Sequence, residues 1–170
     1  MSAEEIVDLV DAEDRVIGAV RKLDTDVDPS LIHREIAVLI HRGGELLWQL
    51  RSAAKTVMPL SWDVACAGHV AAGESPRDAA RRELREELGV ELELEPLERR
   101  LVREPNETYF AYVFHAAAPD GFAPAPDPEE VAALEWCGAD GLARWLAEGR
   151  RVAPVARTLA EAFWDQPAGA

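Results

Sequence analysis

The sequence predicts a mixed α/β (α+β) fold in which a mixed β-sheet lies between helices. Apolar segments with strand-like spacing stand before and after one strongly amphipathic helix, and two further helical patterns follow them. The chain has 170 residues, and residues 1–170 are expected to form a single domain, because two separate hydrophobic cores would each be small.

Two hairpins are predicted before the main helix. Residues 1–30 are expected to form an N-terminal extension of a hairpin and a loop, since residues 6–20 contain two apolar runs separated by a short acidic turn, and residues 21–32 combine charge with Asp and Pro. The second hairpin is predicted for residues 35–50, where the runs EIAVLIH and ELLWQL flank Gly43-Gly44.

The clearest helix spans residues 75–89. Ser75 is typical of a helix N-cap, Pro76 suits the first helical position, and Gly89 favours termination. An apolar stripe at four-residue spacing consists of Ala80, Leu84 and Leu88.

Beyond this helix, strands are predicted at residues 90–94, 108–116 and 131–136, and helices at residues 140–148 and 152–164. Residues 117–128, which include Phe122, form a long irregular loop that is either a substrate lid or a surface connection. Residues 166–170 are expected to be a disordered tail.

Charge and composition exclude several classes of protein. The formal net charge is −14, which disfavours nucleic acid and acidic membrane surfaces as partners. A bound polyphosphate would therefore need a few placed basic residues or a divalent ion. Two cysteines cannot build a disulfide framework, and the acidic N-terminus lacks a secretory pattern, so we expect a cytoplasmic protein.

Three carboxylates share one face of the predicted helix. Glu83, Glu86 and Glu87 stand at i, i+3 and i+4, which places their Cβ atoms roughly 5–6 Å apart. At a separation of about 4 Å and an effective dielectric near 20, like charges repel by roughly 4 kcal/mol per pair. Hard oxygen ligands favour Mg²⁺ or Mn²⁺. The alternative is a solvated face with surface ion pairs to the neighbouring arginines.

A longer motif favours the metal site. Residues 68–90, GHVAAGESPRDAARRELREELGV, fit the pattern G-x5-E-x7-R-E-U-x-E-E-x-G-U, in which U is aliphatic. The chain thus resembles the Nudix hydrolases, and the resemblance implies an αβα sandwich that hydrolyses a nucleoside diphosphate linked to another group, with Mg²⁺, or Mn²⁺ in its place, as cofactor.

The resemblance also implies roles for individual residues. The implied metal ligands are Glu83, Glu86, Glu87 and the carbonyl of Gly68, and one of the glutamates also serves as general base. Arg82 would orient the carboxylates, and Glu74 would support them from behind. A further acidic ligand is expected shortly before a strand tryptophan, where Glu130 is preferred to Glu129; the alternative is an ordinary loop acid.

A second resemblance concerns residues 31–41 and 49–69, which are similar to isopentenyl diphosphate isomerases. It implies that Arg51 and Lys55 hold a diphosphate, the alternative being exposed loop bases. The catalytic cysteine of the isomerases aligns with Ala67, and the adjacent Cys66 would point to the opposite face of a strand. Isomerase metal ligands match at His33, His69 and Glu107 and are replaced at Pro105 and Asp26. We therefore favour a hydrolase.

The substrate is expected to be a small nucleotide, most simply a nucleoside di- or triphosphate cleaved to the monophosphate. Conjugates such as ADP-ribose and nucleotide sugars are the alternative, and an isomerase or a non-catalytic nucleotide sensor is less favoured. Four strand aromatics could stack a base or belong to the core: Trp62, Tyr109, Phe110 and Tyr112.

Overall fold

The computed structural model describes residues 5–166, which form nine strands and four helices. In chain order these are β1 (Ile6–Val10), β2 (Val16–Arg21), α1 (Lys22–Thr25), β3 (His33–Arg42), β4 (Glu45–Arg51), β5 (Trp62–Val64), β6 (Cys66–His69), α2 (Pro76–Leu88), β7 (Glu95–Arg103), β8 (Thr108–Ala117), β9 (Val131–Cys137), α3 (Ala139–Ala147) and α4 (Pro154–Trp164). In this range, no helix is long and apolar enough to cross a membrane.

Seven strands form one mixed sheet, as predicted. Its central strand β3 pairs in parallel with β8 and antiparallel with β4 and β6. Strands β5 and β9 pair with β4, and β7 pairs with β8, all antiparallel. The predicted hairpin around Gly43-Gly44 is present, although β3 and β4 pair only beside the turn.

Helices cover both faces of this sheet, so the expected αβα sandwich is confirmed. Successive residues of a strand point to opposite faces. Ile36 and Val38 of β3 therefore pack with Leu84 of α2, whereas Ala37 and Leu39 pack with the residues of α3 and α4. The apolar faces of both helical layers are buried, which supplies the main driving force for folding.

The N-terminal hairpin is confirmed as β1 and β2, and it packs against the segment that precedes α2. The backbone of Ala72 donates to Ile6, and Val7 forms a bridge with Ala71. At the hairpin turn, the buried carboxylate of Asp14 accepts hydrogen bonds from Arg34 and from the hydroxyl of Tyr112. The extension is thereby tied to the main sheet.

One predicted strand is wrong. Residues 90–94 are irregular, and their apolar side chains pack beside α2, where Arg77 also donates to the carbonyl of Leu94. The strand begins at Glu95 instead. Its segment EPLERRLVR carries five charged residues and a proline, which is typical of a strand at the edge of a sheet. These residues leave no apolar alternation from which the strand could have been predicted.

Three short elements were not predicted. The segment 21–32, interpreted as a loop, contains α1, and the region between the second hairpin and α2 contains β5 and β6. Elements of three or four residues are too short to show a period. The predicted tail at 166–170 lies outside the described residues except for Gln166, which follows α4.

Candidate active site

The local sequence determines where α2 begins and ends. The Ser75 hydroxyl accepts a hydrogen bond from the Asp78 backbone at 3.1 Å, and Gly89 ends the helix with a φ of 64°. Because the Leu84 side of the helix is buried in the core, the glutamates occupy the side that faces β6 and solvent. We call Glu83, Glu86 and Glu87 the α2 carboxylate cluster.

Strand β6 places Gly68 directly against this cluster. A Cβ atom added to Gly68 would lie 2.4 Å from Cδ of Glu83, a separation that real side chains do not show. The missing side chain therefore lets the Glu83 carboxylate approach the backbone of β6. Carboxylate and carbonyl oxygens are the ligands that Mg²⁺ prefers, so this contact brings two predicted ligands together.

Arg82 connects the cluster to its surroundings. Its guanidinium donates to both oxygens of Glu74 at 3.0 and 2.9 Å, to Glu83 at 2.6 Å and to the carbonyl of His69 at 3.0 Å. A weaker contact reaches Glu86 at 3.3 Å. One arginine thus fixes two carboxylates against the loop that precedes α2, which a lysine could not do with the same geometry.

Glu87 is the most buried member of the cluster. The amide of Gln49 donates to it at 3.0 Å, so its hydrogen-bond partner is neutral. Burial and the nearby charge of Glu83 raise the pKa of Glu87 to about 8. Burial also raises the pKa of Glu83, whereas the side chain of Glu86 is 58% exposed.

These side chains fit a hard divalent cation. Two largely buried carboxyl groups, those of Glu83 and Glu87, have raised pKa values because burial outweighs the nearby positive charge, and Gly68 lets Glu83 approach the backbone of β6. A divalent ion would convert their mutual repulsion into binding energy.

Glu130 lies close to the same cluster. Its carboxylate forms an ion pair with Lys55, and its charge contributes to the raised pKa of Glu87. The backbone of Ser52 also donates to the carbonyl of Glu130 at 2.9 Å. Glu129, by contrast, is exposed. The structure therefore brings Glu130 and Lys55 to the candidate site.

Arg51 is engaged within the protein. Its guanidinium contacts Asp63 at 3.4 Å and the carbonyl of Val57 at 3.1 Å, which braces the loop that contains Lys55. The Arg51 side chain is only 14% exposed. Substrate binding by Arg51 thus stays a prediction.

The candidate aromatics are mainly structural. Trp62, Tyr109 and Phe110 are buried, and the ring of Trp62 packs 4.7 Å from that of Trp145. The half-buried Tyr112 anchors the N-terminal hairpin, as described above. In the loop after β8, the ring of Phe122 meets Trp136 edge-on, so this part of the loop is packed against the domain.

A second cluster of titratable groups lies at the start of β3. Glu35 accepts hydrogen bonds from His33 at 3.1 Å and contacts the His69 ring at 3.4 Å, and Glu107 lies 3.9 Å from His33. We call these four residues the β3 histidine cluster. Its ligand atoms on His33, Glu35 and Glu107 lie within 4.8 Å of one another, a spacing compatible with a metal ion.

The chain itself supplies positive charge to the β3 histidine cluster. Burial alone would raise the pKa of Glu35, but hydrogen bonds from His33 and His69 outweigh it and hold that pKa well below its usual range. Burial alone would lower the pKa of His69, but hydrogen bonds to Glu35 and Glu5 raise it to about 9. Lys22 lies 3.7 Å from Glu107 and pairs with Asp26.

Cys66 and Ala67 point to opposite faces of the sheet, as predicted. The Cys66 thiol is buried in the α2 layer, where burial and Glu87 raise its pKa well above the usual value. Ala67 packs against the opposite core layer, the layer that carries the β3 histidine cluster. No thiol therefore stands at the Ala67 position.

The sequence reasoning missed Gln49, Glu35, Lys22 and Asp63. The sequence contained one indication that Gln49 has a special role, since this polar residue interrupts the apolar run ELLWQL on a buried strand. Glu35 likewise interrupts the start of the run on β3. Gln49 meets Glu87 across 38 positions, and Glu35 also contacts His69 on another strand, so the pattern alone could not assign them.

Comparison with known proteins supports the fold and the motif. Residues 31–157 match the model of the NUDIX domain. An isopentenyl-diphosphate Delta-isomerase from Nocardia farcinica is 36% identical over 174 residues, covering 96% of this chain and 98% of the relative. An uncharacterized Nudix hydrolase from Pseudomonas aeruginosa is 36% identical over 119 residues, covering 69% of this chain and 70% of the relative.

Solved structures of other proteins have the same fold. A Deinococcus radiodurans protein of known crystal structure superposes with a TM-score of 0.79 at 27% identity, over 93% of this chain and 98% of that one. A MutT Nudix hydrolase from Burkholderia pseudomallei superposes with a TM-score of 0.64 at 25% identity, over 76% and 96%. With its family-model match over most of its length and an uninterrupted motif on α2, the chain belongs to the Nudix family.

Proposed function

We propose that this protein is a Mg²⁺-dependent hydrolase that cleaves a phosphoanhydride bond of a small nucleotide, most simply a nucleoside di- or triphosphate, to give the monophosphate. The observation that carries the proposal is the α2 carboxylate cluster, whose buried members Glu83 and Glu87 both have raised pKa values. Arg82 and Lys55 do not offset the burial of these carboxyl groups, which are therefore suited to a divalent ion that arrives with the substrate.

In this proposal, the metal is held by the α2 carboxylate cluster, the Gly68 carbonyl and Glu130. When bound, Mg²⁺ would neutralise negative charge on the phosphate oxygens and lower the pKa of the attacking water. Arg82 and Glu74 orient the cluster from behind, and one of the three glutamates takes the proton from water as general base.

Lys55 provides a positively charged side chain at the candidate site. The protein carries a net charge of −14, so an approaching polyphosphate needs local positive charge. The Lys55 ammonium already sits at the cluster through its ion pair with Glu130. With Glu130 as a metal ligand, Lys55 would be free to bind a phosphate, while Arg51 braces its loop.

The alternative substrate class is a nucleoside diphosphate conjugate such as ADP-ribose or a nucleotide sugar. We prefer free nucleotides because the strand aromatics are mostly committed to the core. The proposal also includes a cytoplasmic location, where such nucleotides occur, and excludes nucleic acid and membranes as partners on the ground of net charge.

A second candidate is an isomerase of isopentenyl diphosphate, favoured by the name of the Nocardia farcinica relative and by the β3 histidine cluster. Against it stands Ala67, because the proton-donating thiol expected there is absent and the neighbouring Cys66 is buried on the other face. A non-catalytic nucleotide sensor is disfavoured by the complete glutamate set.

The test is a product analysis by mass spectrometry with Mg²⁺ and with Mn²⁺. The panel holds nucleoside di- and triphosphates, nucleotide sugars, ADP-ribose, dinucleoside polyphosphates and isopentenyl diphosphate. Release of a nucleoside monophosphate from free nucleotides supports the proposal. Cleavage of conjugates alone would overturn the substrate class, and double-bond migration in isopentenyl diphosphate without nucleotide turnover would establish the isomerase.

A further inference from the structure

Two histidines outside both clusters face each other at the far end of β3. His41 lies near the end of this strand, and His115 lies on its parallel neighbour β8. Nε2 of His41 and Nδ1 of His115 are 3.4 Å apart, and the ring centroids are 5.5 Å apart. Both rings are half-buried, so a small ion can reach them from solvent.

This separation matches a tetrahedral metal site. Two imidazole nitrogens that each lie about 2.0–2.1 Å from a tetrahedral zinc ion are about 3.4 Å apart. The strand backbones hold the two rings at this spacing, because β3 and β8 are paired along the whole of their length in this region. Little reorganisation of the protein is therefore needed to bind an ion.

The surroundings of the pair also suit a metal ligand. Glu95 is the cross-strand partner of His115, and its carboxylate lies 3.8 Å from Nε2, the nitrogen that faces away from His41. A carboxylate on the outer nitrogen of a ligating histidine fixes the tautomer and makes the inner nitrogen a better ligand. Phe163 of α4 closes one side, with its ring 5.3 and 6.0 Å from the two imidazoles.

We infer that His41 and His115 form a binding site for one transition-metal ion of the zinc, nickel or copper class, with water in the remaining positions. Imidazole ligands select these ions over Mg²⁺, whereas the α2 carboxylate cluster has the opposite preference. The inference is independent of the proposed function, because it uses none of the residues assigned to hydrolysis.

The four histidines of the chain allow a direct test. Their imidazole nitrogens are followed by ¹⁵N NMR at about pH 7.5, where a histidine of ordinary pKa is mostly neutral and His69, whose pKa is about 9, is mostly protonated, while Zn²⁺ is added in the presence of excess Mg²⁺. We expect the signals of His41 and His115 to shift together and to saturate at one equivalent; additional shifts at the β3 histidine cluster leave the inference standing. Shifts of His33 and His69 alone, or no shift at all, would overturn it and leave a simple hydrogen bond between the two rings.

Variants give a second measurement through zinc titration calorimetry in the same buffer. His41→Gln and His115→Gln are each expected to weaken zinc binding at least about tenfold, and Glu95→Gln about three- to tenfold, since it acts through His115. Glu91→Gln, which removes a carboxylate that is 79% exposed, is the control and should bind zinc like the parent protein. Unchanged affinity in both histidine variants would contradict the site.

Discussion

The α2 carboxylate cluster and the β3 histidine cluster lie on opposite faces of one sheet and balance their charge in opposite ways. Glu35 is flanked by His33 and His69, and its pKa lies well below the usual range. Glu87 is paired with the neutral amide of Gln49, and its pKa is raised to about 8. Burial acts in the same direction on both carboxyl groups, so the difference comes from their neighbours: histidines beside Glu35, and the carboxylates of Glu83 and Glu130 near Glu87.

This difference indicates which cluster depends on an external cation. In the β3 histidine cluster, Lys22 and the imidazole of His69 provide internal counter-charge. In the α2 carboxylate cluster, the only arginine in contact, Arg82, is shared among Glu74, Glu83 and Glu86 and does not contact Glu87 among the described residues. A divalent metal ion would therefore stabilise the α2 carboxylate cluster more than the β3 histidine cluster.

The largest effect is expected from Glu86→Gln. Losing one charged ligand should lower kcat with Mg²⁺ at least about a hundredfold, while the exposed, isosteric side chain leaves the fold intact. Steady-state kinetics on the preferred nucleotide measure this. Glu91→Gln removes an even more exposed carboxylate just beyond α2 and should retain activity. Equal activity in the two variants would remove the cluster from the mechanism.

Arg82→Lys should have the next largest effect. A lysine cannot bind both oxygens of Glu74 while also reaching Glu83 and the His69 carbonyl, so the cluster loses its orientation. We expect kcat to fall by about 10–100-fold, with a higher Mg²⁺ requirement. Kinetics at varied Mg²⁺ test this against Arg81→Lys, a more exposed arginine of the same helix that should behave like the parent protein.

The stability of the metal-free protein should fall as pH rises. Since the pKa of Glu87 is about 8 in the folded state and near 4.5 when unfolded, its contribution is complete below pH 4.5 and is lost as pH rises through 8. His69, with a pKa of about 9, acts in the same direction. From pH 6 to 9 we expect Tm to drop by several degrees, at about 2–4 °C per kcal/mol for a chain of this size.

Magnesium separates the two contributions. In the proposed site Mg²⁺ binds the ionised carboxylates, so it should raise Tm more at pH 9 than at pH 6, and it should leave the His69 contribution in place. Thermal unfolding with and without Mg²⁺ measures this, and Glu87→Gln should lose most of the difference. A magnesium effect of equal size at both pH values would contradict the assignment.

The smallest effect on activity is expected from Glu35→Gln. If the two clusters act independently, kcat should stay within about twofold of the parent value. The pKa of His69 should nevertheless fall from about 9 toward its ordinary value, which histidine NMR can follow. A large loss of hydrolysis would show that the two faces of the sheet act as one site.

The elements that the sequence predicted well are those with local signals. Helix α2 carries its own cap, apolar stripe and terminating glycine, so its bounds and its glutamates could be placed in advance. Gly68 was identified through the resemblance of residues 68–90 to the Nudix motif, and its contact with Glu83 shows why a side chain is not tolerated there. In each case, the partners lie within about two dozen residues of one another.

What could not be predicted depends on distant contacts. Lys55 meets Glu130 across 75 positions, and Gln49 meets Glu87 across 38. Such contacts form because strands from distant parts of the chain lie side by side. The periodicity of a single sequence does not show which strands are neighbours. The charged edge strand β7 was missed for a related reason, because its stability comes from pairing with β8 rather than from apolar alternation.

The most direct measurement of the central claim is an NMR titration of the Glu87 carboxyl carbon, assigned with Glu87→Gln, in the absence and presence of Mg²⁺. We predict a pKa near 8 without metal and a clear fall, by two units or about 3 kcal/mol, when Mg²⁺ is added. A metal-free pKa near the ordinary glutamate value, unmoved by Mg²⁺, would show that the chain already balances this charge and would contradict a cation site at α2.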